Sequence, residues 1–457
     1  MNDVRQFGAV GDGVADDTRA VQAAIDAGGV AYFPPGTYLC ASLLLRSNGG
    51  LELAAGARIL AHPDLDRWRD PETYGPEHRK LFNLLSFERV EGRHLIAGCS
   101  VENVVIRGEG TIDGNIEAFF PIPPKPIPGY RFDIKRRPAQ LLYFAGSSDI
   151  TLSGVTLTGV TYWTTLFFGC ERVRVTGVRF LNHRHTPNGD GLDLNACRDV
   201  TVSDCVMRTG DDCIAIQCMS EFLDQPSSRC CENITITNCV LSTICNAIRF
   251  GVGSGTIRRV TMSNIVVTES RTAINMAIRL LAGQNTNIEE ISFSDFNADC
   301  VRPFSLHSNG GLDSILGRVD GKIRDISFRN FFCRCSNPSL IDAMTPGDIE
   351  DIDFDNIRLT LSKPFIPEGC DISVLCDDKI LPIRLRYDDG NGDYTEAVYE
   401  LPPAAFYLRR TRNVSLHRVK IRREEEIPEL KHDLLAVACE GTELDGCRLP
   451  GGISERP

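Results

Sequence analysis

Three carboxylates in two short motifs are the side chains of this sequence best placed for chemistry. The motif NGD ends at Asp190, and the motif GDD ends with Asp211 and Asp212, the first of them 21 residues beyond Asp190. Carboxylates held close together repel one another, so the pKa of at least one rises and a protonated acid can coexist with an ionised base. Hydrolysis of a glycosidic bond needs such a pair, because one group protonates the leaving oxygen and the other activates water. Aspartate beside glycine is also common in solvated turns, so a structural role stays open.

A repeat of alternating apolar residues predicts how these carboxylates are positioned. Segments such as DITLSGVTLTG, DVTVSDCVMRT and NITITNCVLST recur along the chain, mostly at steps of 23 to 35 residues. Each is rich in Val, Ile and Thr and alternates with a period of two, which is typical of strands. The pattern predicts an all-β parallel solenoid, in which each coil pairs with the next and inward aliphatic residues and cysteines form ladders.

A polar corner interrupts each repeat. Asn, Asp and Gly tolerate left-handed backbone angles, so these residues are expected to turn the chain. The predicted corners are Gly154, Gly177, Asp204, Asn238, Asn264, Asp295, Asn330, Asn356 and Arg418.

The coil length sets the expected distance between the two acidic motifs. At one-coil spacing, Asp190 and Asp211 would occupy equivalent positions roughly 5 Å apart along the stack. Gly210 would let the backbone bend, so that Asp212 joins them on the same surface.

The chain is predicted to form a single domain over residues 1–457. Residues 1–60 would hold an N-terminal cap and the first coils, residues 61–360 the main coils with the cleft, and residues 361–457 a hairpin-like insertion and the C-terminal coils. An open solenoid needs its exposed edge covered. A short helix in DDTRAVQAAIDAG fits that cap, with apolar spacing at Ala20, Val21, Ala24 and Ile25.

Two segments depart from the repeat. Residues 119–138 are rich in proline and basic residues, which predicts a long loop, and long loops in compact folds are often functional. Residues 363–402 interrupt the coils and predict an extra hairpin, for which the sequence indicates no function.

Composition narrows the class of partner. The net charge of -12 disfavours nucleic acid and anionic membrane surfaces. The sequence lacks an apolar run of membrane-spanning length and an export signal at its start, so we expect a cytoplasmic protein. Of the 18 cysteines, eight lie between Cys197 and Cys245, mostly in apolar strand-like segments, which favours buried thiols in a reducing compartment over disulfides. They lack the paired spacing of a zinc site, and we expect no metal or cofactor.

The motifs resemble those of a known family. YWTTLFFGCERVRVTGV, NGDGLDL and TGDDCIAI look like the polygalacturonase group, glycoside hydrolase family 28, and FGAVGDGVADDTRAVQAAID is similar to the cap segment of pectin-acting β-helix proteins. The resemblance covers roughly residues 3–300 and implies a right-handed parallel β-helix. It implies that Asp211 is the general acid and that Asp190 and Asp212 activate water in one inverting displacement.

Other positions match the family's substrate-binding motifs less well. Asn188 is retained beside Asp190, but Gly189 replaces the family's threonine. The family's Gly-His-Gly aligns with residues 245–247, so Asn246 replaces the histidine, and Asn cannot titrate. The family's Arg-Ile-Lys aligns with residues 279–281. Arg279 is kept, and Leu281 replaces a lysine that binds the substrate carboxylate.

Three further residues are candidates for substrate contacts. Arg249 could restore a positive charge near the lost lysine, or could form a surface ion pair. His185 precedes the first acidic motif and fits either a loop or a supporting role. Trp163 is expected at the matching corner two coils earlier, where its ring could support a sugar or pack inside.

The function that the sequence favours is hydrolysis of a pectin-derived or related oligosaccharide. A cytoplasmic enzyme of this kind would act on small imported fragments, and action from a chain end would suit them. A non-catalytic carbohydrate-binding β-helix and a β-helix polysaccharide lyase remain alternatives. The sequence does not indicate the sugar, the linkage or the oligomeric state.

Overall fold

A computed structural model gives the architecture for most of the chain. It describes residues 1–75, 78, 90–119, 121, 136–220, 223, 230–278, 285–308, 320–362, 383–388, 394–399, 402–424 and 426–456, with the backbone alone at 383–388 and 394–399. Contacts between Cα atoms divide the chain into two compact units. Unit 1 comprises Met1–Ala215 and Met219–Val240, and unit 2 comprises Ile216–Cys218 and Leu241–Pro457. The single domain over residues 1–457 stays a prediction.

Unit 1 is a stack of parallel strands. Ile150 aligns with Val173, Val173 with Val200, and Val200 with Ile234, so each coil pairs in register with the next. The strands that form one face, here called the B strands, are Leu43–Leu44, Ile96–Cys99, Leu142–Ala145, Thr165–Phe168 and Leu192–Asn195. The other strands are Asn2–Asp3, Asp12–Asp16, Gly29–Phe33, Gly36–Cys40, Gly49–Leu53, Ala57–Ala61, Glu102–Gly108, Thr111–Asp113, Ser148–Ser153, Thr156–Thr158, Glu171–Thr176, Arg179–Leu181, Arg198–Ser203 and Val206–Thr209. Two more strands, Ile214–Cys218, which is a B strand, and Cys230–Thr243, contain the unit boundary.

Unit 2 is also built from parallel strands, and its coils are longer. Val260 aligns with Ile291, Ile291 with Ile326, and Ile326 with Ile352. Its B strands are Asn246–Gly253, Thr272–Ala277, Arg302–His307, Ser339–Asp342, Ala404–Arg409, His432–Val437 and Ile453–Arg456. The remaining strands are Thr256–Glu269, Asn287–Asp299, Ile323–Cys335, Ile349–Leu361, Ile383–Asp388, Tyr394–Tyr399, Arg412–His417, Lys420–Arg423 and Glu443–Asp445.

The cores of the two units use different side chains. In unit 1 the aligned Ile150, Val173 and Val200 are each at most 2% exposed, so the predicted aliphatic ladder is present. In unit 2, the rings of Phe293 and Phe328 stack with centroids 5.0 Å apart. The ring of Phe354 continues the stack at 4.9 Å from Phe328. Parallel register therefore places like side chains on top of one another, which is how a narrow coil obtains a continuous core.

All nine predicted corners have left-handed backbone angles, with φ between 53° and 74°. Asparagine side chains link some of them from coil to coil. Asn330 Nδ2 donates to Asp295 Oδ1 at 2.8 Å, and Asn356 Nδ2 donates to Asn330 Oδ1 at 2.8 Å. A second left-handed series was not predicted. It comprises Asn103, Asp149, Arg172, Asp199, Asn233, Arg259, Glu290, Asp325, Asp351 and Asn413.

The N-terminal helix spans Thr18–Asp26 and buries Val21, Ala24 and Ile25, as its apolar spacing predicts. The Gln22 side chain makes two hydrogen bonds to the backbone of Leu44 in the edge strand. Its Nε2 donates to the Leu44 carbonyl and its Oε1 accepts from the Leu44 amide, each at 2.9 Å. The helix thereby satisfies backbone groups that an uncovered edge would leave without partners. Short 3₁₀ helices lie at Val4–Phe7, Leu65–Arg67, Pro71–Tyr74 and Ile116–Ala118.

The predicted fold class is confirmed as all-β, a right-handed parallel β-helix with a short N-terminal helical cap. In the described parts of the chain, no helix has both the length and the apolar character that crossing a bilayer requires. Ile383–Asp388 and Tyr394–Tyr399 pair antiparallel within the segment for which the sequence suggested a hairpin. Most of the predicted loop at 119–138 lies outside the described residues.

Candidate active site

Asp190 lies two residues ahead of the B strand Leu192–Asn195, with 5% of its surface exposed. Its backbone carbonyl accepts two hydrogen bonds from Thr164, at 2.8 Å from the amide and 2.6 Å from the hydroxyl. The Thr164 hydroxyl oxygen accepts a further bond from the Asn182 side-chain amide at 2.6 Å. The preceding coil therefore fixes the backbone from which the Asp190 carboxylate projects.

The GDD motif forms a turn that Thr209 holds together. The Thr209 hydroxyl donates to the Asp211 carbonyl at 2.7 Å, and the amide of Asp212 donates to Asp211 Oδ1 at 3.0 Å. Asp211 is half-buried, whereas Asp212 is only 1% exposed. The turn thus places two adjacent carboxylates in different surroundings, as a division into acid and base requires.

The two acidic motifs lie in adjacent coils, but their register differs from the prediction by one residue. The amide of Gly191 donates to the carbonyl of Asp212 at 2.9 Å. In a parallel ladder this bond aligns Gly191 with Cys213, and therefore Asp190 with Asp212. The spacing argument had paired Asp190 with Asp211. That pairing was wrong because the coil is one residue longer, and Asp211 lies one position ahead of the aligned pair.

The glycines beside the carboxylates are explained by close backbone approach. A Cβ on Gly210 would lie 2.4 Å from the carbonyl oxygen of Thr186, and a Cβ on Gly191 would lie 2.5 Å from that of Cys213. The amide of Gly210 also donates to the carbonyl of Gly189 at 3.2 Å, which joins the two motifs directly. A larger residue at either position would clash with the backbone of the neighbouring coil, next to the two acidic motifs.

Trp163 and His185 both belong to unit 1. The bond from the Thr164 amide to the Asp190 carbonyl aligns Trp163 with Asp190, so Trp163 lies one coil before Asp190 and not two as predicted. Trp163 is 6% exposed and stacks on Tyr162 with ring centroids 5.1 Å apart. His185 is half-buried, and its backbone amide donates to Nδ1 of His183 at 3.1 Å.

The neighbouring His183 is held towards its neutral form. Its ring centroid lies 4.9 Å from that of His185. Burial lowers the pKa of His183, and the charges of His185 and Arg208 lower that pKa further. A mainly neutral imidazole therefore lies just ahead of the first acidic motif.

Arg137 is a part of the site that the sequence argument missed. It is 2% exposed, and its Nη1 donates to the carbonyls of Thr161 and Pro187, each at 3.0 Å. Its Nη2 donates to Oδ1 of Asn188 at 2.9 Å. Its Cζ lies 4.7 Å from the ring centroid of Tyr162. Arg137 thus ties the NGD motif to two earlier coils and holds Asn188, which has a left-handed φ of 51°.

The signal that could have found Arg137 was its place at the end of the basic, proline-rich segment 119–138. Nothing local distinguishes it from Arg136, which is exposed and bonds Glu91 and Asp66 instead.

The remaining predicted site residues belong to unit 2 or lie outside the described residues. Asn246 begins the B strand Asn246–Gly253, is 3% exposed, and accepts from Nδ2 of Asn275 at 3.3 Å. Arg249 is half-buried on the same strand and aligns with Asn275. Arg279 and Leu281 lie outside the described residues.

Unit 1 therefore gathers what acid–base chemistry on a bound ligand needs. Asp190 and Asp212 come from aligned positions, Asp211 adjoins them, and Asn188 offers an amide held by Arg137. One carboxylic acid can protonate a leaving oxygen while an ionised neighbour removes a proton from water. The catalytic and substrate-binding roles of these residues stay predictions.

Comparisons with known proteins agree with this arrangement. The sequence profile of glycosyl hydrolases family 28 matches residues 85–302, and that of rhamnogalacturonase A/epimerase, pectate lyase-like proteins matches residues 1–51. A probable polygalacturonase of Vitis vinifera is 28% identical over 228 residues, which cover 46% of this chain and 43% of that protein. An exopolygalacturonase of Zea mays is 26% identical over 223 residues, which cover 47% of this chain and 48% of the other. The chain spans about half the length of the curated relatives it matches.

A solved structure carries the likeness across the whole chain. The family 28 exopolygalacturonase of Yersinia enterocolitica superposes with a TM-score of 0.68 and 17% identity, covering 97% of this chain and 77% of its own. At that identity the likeness shows the fold alone. The profile match includes both acidic motifs, so the resemblance that those motifs indicated is confirmed over residues 85–302.

Proposed function

We propose that the protein is an inverting glycoside hydrolase that acts on a pectin-derived oligosaccharide. One observation carries the proposal: the backbone bond from Gly191 to Asp212 brings the two acidic motifs into aligned positions of adjacent coils. The family match over residues 85–302 and the polygalacturonases among the relatives support it. In this proposal the chemistry occurs where the carboxylates of unit 1 meet.

The proposed reaction is a single displacement. Asp211 gives its proton to the glycosidic oxygen as the bond from that oxygen to the anomeric carbon breaks. Asp190 and Asp212 take a proton from water as the water oxygen bonds to the opposite face of that carbon. The product is a hemiacetal of inverted configuration, and a second proton transfer restores the starting charges.

Action from a chain end is the finer part of the proposal. The exopolygalacturonase of Zea mays supports it among the relatives. An enzyme of this kind would release one size of short product from a pentamer, whereas cleavage within the chain would release a mixture. Mass analysis of early products separates the two modes.

The cytoplasmic location is also a proposal. The buried thiols of Cys170 and Cys197 donate to the carbonyls of Phe144 and Phe167, at 3.4 Å and 3.2 Å. Burial raises the pKa of the Cys170 thiol, which keeps it in the protonated form that can donate. Such thiols suit a reducing compartment, and fractionation of the producing cells would test the location.

The deciding experiment compares the native protein with Asp211→Asn on galacturonan, rhamnogalacturonan and neutral oligosaccharides. Products are read by mass and reducing ends, and the anomer first formed is read by proton NMR. We expect hydrolysis by the native protein alone, with inversion. Near-normal turnover by Asp211→Asn would refute the assignment. Binding without products would point to a carbohydrate-binding β-helix, and unsaturated products absorbing in the ultraviolet would point to a lyase.

A further inference from the structure

Arg302 is a buried cation at the start of a B strand of unit 2. It begins the strand Arg302–His307 and is 8% exposed. Its Nε donates to the carbonyl of Pro338 at 3.1 Å. That acceptor is neutral, so the bond does not balance the charge of the guanidinium.

The electrostatic surroundings of Arg302 contain a second cation. The amide of Arg302 donates to the carbonyl of Arg271 at 2.9 Å, which places the two arginines in adjacent coils. Burial, as the larger cause, and the nearby charge of Arg271 together lower the pKa of Arg302 to about 9. Among the residues that the structure describes, no carboxylate forms an ion pair with Arg302.

A buried charge of this kind is costly. Removing an ion from water is unfavourable by several kcal/mol unless an opposite charge and hydrogen bonds replace the water. A surface arginine could relax towards solvent, but Arg302 is held within the coil stack. An anion that arrives from solution would supply the missing compensation.

Arg302 lies in register with Asn246, a predicted substrate-binding residue of the same unit. Asn246 aligns with Thr272, and Thr272 aligns with Arg302, so these three residues form one line along unit 2. They are 3%, 2% and 8% exposed. In unit 1 the carboxylates just ahead of their B strands are equally enclosed, with Asp190 at 5% and Asp212 at 1%. Low exposure is therefore typical of this part of a coil and does not set Arg302 apart.

Coil spacing also suits an oligosaccharide. Neighbouring coils are about 4.8 Å apart, which is close to the length of one sugar residue in a chain. A ligand lying along Asn246, Thr272 and Arg302 would therefore meet one side chain of the line with each sugar.

We propose that Arg302, with Arg271 beside it, forms a subsite for the carboxylate of a uronic acid residue in the bound oligosaccharide. A guanidinium offers two parallel donors that match a carboxylate, and such charged bonds are stronger than neutral ones. This subsite rests on the proposed function for its substrate. It supplies a cation for uronate recognition in a chain where Leu281 replaces the family's lysine.

The test measures binding without turnover. Trigalacturonate and its methyl ester, which lacks the charges, are titrated by calorimetry into full-length protein carrying Asp211→Asn. Two further proteins combine Asp211→Asn with a second substitution, Arg302→Gln in one and Arg302→Lys in the other. Arg329→Gln is the matched control, because Arg329 has the same charge in the same unit with 66% of its side chain exposed.

We expect Arg302→Gln to weaken trigalacturonate binding about 10- to 100-fold, as the loss of a charged hydrogen-bond pair should. Binding of the methyl ester should not change, Arg302→Lys should retain part of the affinity, and Arg329→Gln should leave both ligands unaffected. If Arg302→Gln binds trigalacturonate as tightly as its parent, the subsite is refuted.

Two outcomes keep this inference separate from the proposed function. If Arg302→Gln fails to fold, the protein with Asp211→Asn alone decides: equal affinity for the acid and the ester refutes the subsite. If the native protein hydrolyses nothing but binding depends on Arg302 and on free carboxylates, the hydrolase assignment fails and the subsite stands.

Discussion

The lines of side chains at the B strands of the two units share a backbone arrangement and differ in charge. In unit 1 the line carries Asp190 and Asp212, whereas in unit 2 it carries Asn246, Thr272 and Arg302. Both lines are built by parallel register, and both are almost fully enclosed. Parallel register therefore repeats a position from coil to coil within each unit, and the residues repeated are acids in unit 1 and an amide, a hydroxyl and a cation in unit 2.

Different coils of a solenoid can carry different functional groups. Each coil repeats the same position, so a change of one residue alters the chemistry of one step along a ligand without altering the fold. Acid–base chemistry is expected from unit 1 and carboxylate recognition from unit 2. Substitutions that remove the acidic groups of unit 1, or the residues that position them, test this comparison.

The largest effect is expected from Asp211→Asn. Asn cannot give a proton to the leaving oxygen, so we expect kcat to fall by about 10²- to 10⁴-fold. Initial rates from reducing ends measure it. The matched control is Asp204→Asn, an acid-to-amide change at a left-handed corner with φ of 58°, where Asn is tolerated. Equal loss in both variants would mean that the effect is structural.

Gly210→Ala should disturb unit 1 without changing any charge. Its Cβ would lie 2.4 Å from the Thr186 carbonyl oxygen, so the motifs must separate, at a cost of about 1–3 kcal/mol in unfolding free energy. We expect kcat to fall as well, since the distance between Asp190 and Asp211 changes. Urea unfolding and initial rates measure the two effects. Unaltered stability would show that the close approach is not needed.

Arg137→Lys tests whether the NGD motif needs the hydrogen bonds that Arg137 makes to it and to Thr161. Lysine keeps the charge but cannot bond Thr161, Pro187 and Asn188 from one planar group, so we expect kcat to fall about tenfold, or about 1.4 kcal/mol in the barrier. KM should change less, because Arg137 acts on the position of the motif. Arg136→Lys is the control on the adjacent, exposed residue. An equal loss of kcat in Arg136→Lys would mean that the effect does not depend on the hydrogen bonds of Arg137.

The smallest effect is a pH dependence of stability that arises in unit 1. His78 and His94 face each other with Nε2 atoms 2.9 Å apart, and both are buried. Burial lowers the pKa of His78 to about 4, and burial with the nearby His78 lowers the pKa of His94 well below its usual value. Between pH 6.5 and 4 the unfolded chain therefore binds protons that the folded chain does not.

Stability should accordingly fall as the pH falls through this range, by about 1 kcal/mol at pH 5.5 for His78, and His94 should act in the same direction. His94→Phe keeps the stacking on Tyr143, at 4.2 Å between ring centroids, and should flatten the dependence. His417→Gln, at an exposed histidine, should not. Urea midpoints at pH 7 and 5.5 give the comparison, and a native-like slope in His94→Phe would exclude the pair as the cause.

Much of the fold could be predicted because each coil repeats local preferences. Asp204, Asn238 and Asn330 occupy left-handed corners as their residue types indicate. The second left-handed series escaped notice because Arg172, Arg259 and Glu290 stand in it, and such residues carry no local signal for that conformation. At Arg172, for example, the neighbouring residues Glu171 and Val173 pair with the next coil, and this pairing outweighs the residue's own preference for right-handed or extended angles.

The candidate site was less accessible to sequence reasoning. The types and approximate spacing of Asp190 and Asp211 were readable, but their register depended on one extra residue in a coil. Arg137 and Arg302 donate to the carbonyls of Pro187 and Pro338, which are distant in the chain, and no local pattern records such contacts. Motifs identify the groups that react, whereas the groups that hold them depend on the coils that surround them.

The bond pair between Gln22 and Leu44 has a consequence for assembly. A stack of parallel coils resembles a growing polymer, because every coil can template the next. Gln22 occupies the donor and the acceptor that an incoming strand would use at Leu44. The helix Thr18–Asp26 thus blocks this position of the edge against pairing with a strand of another molecule.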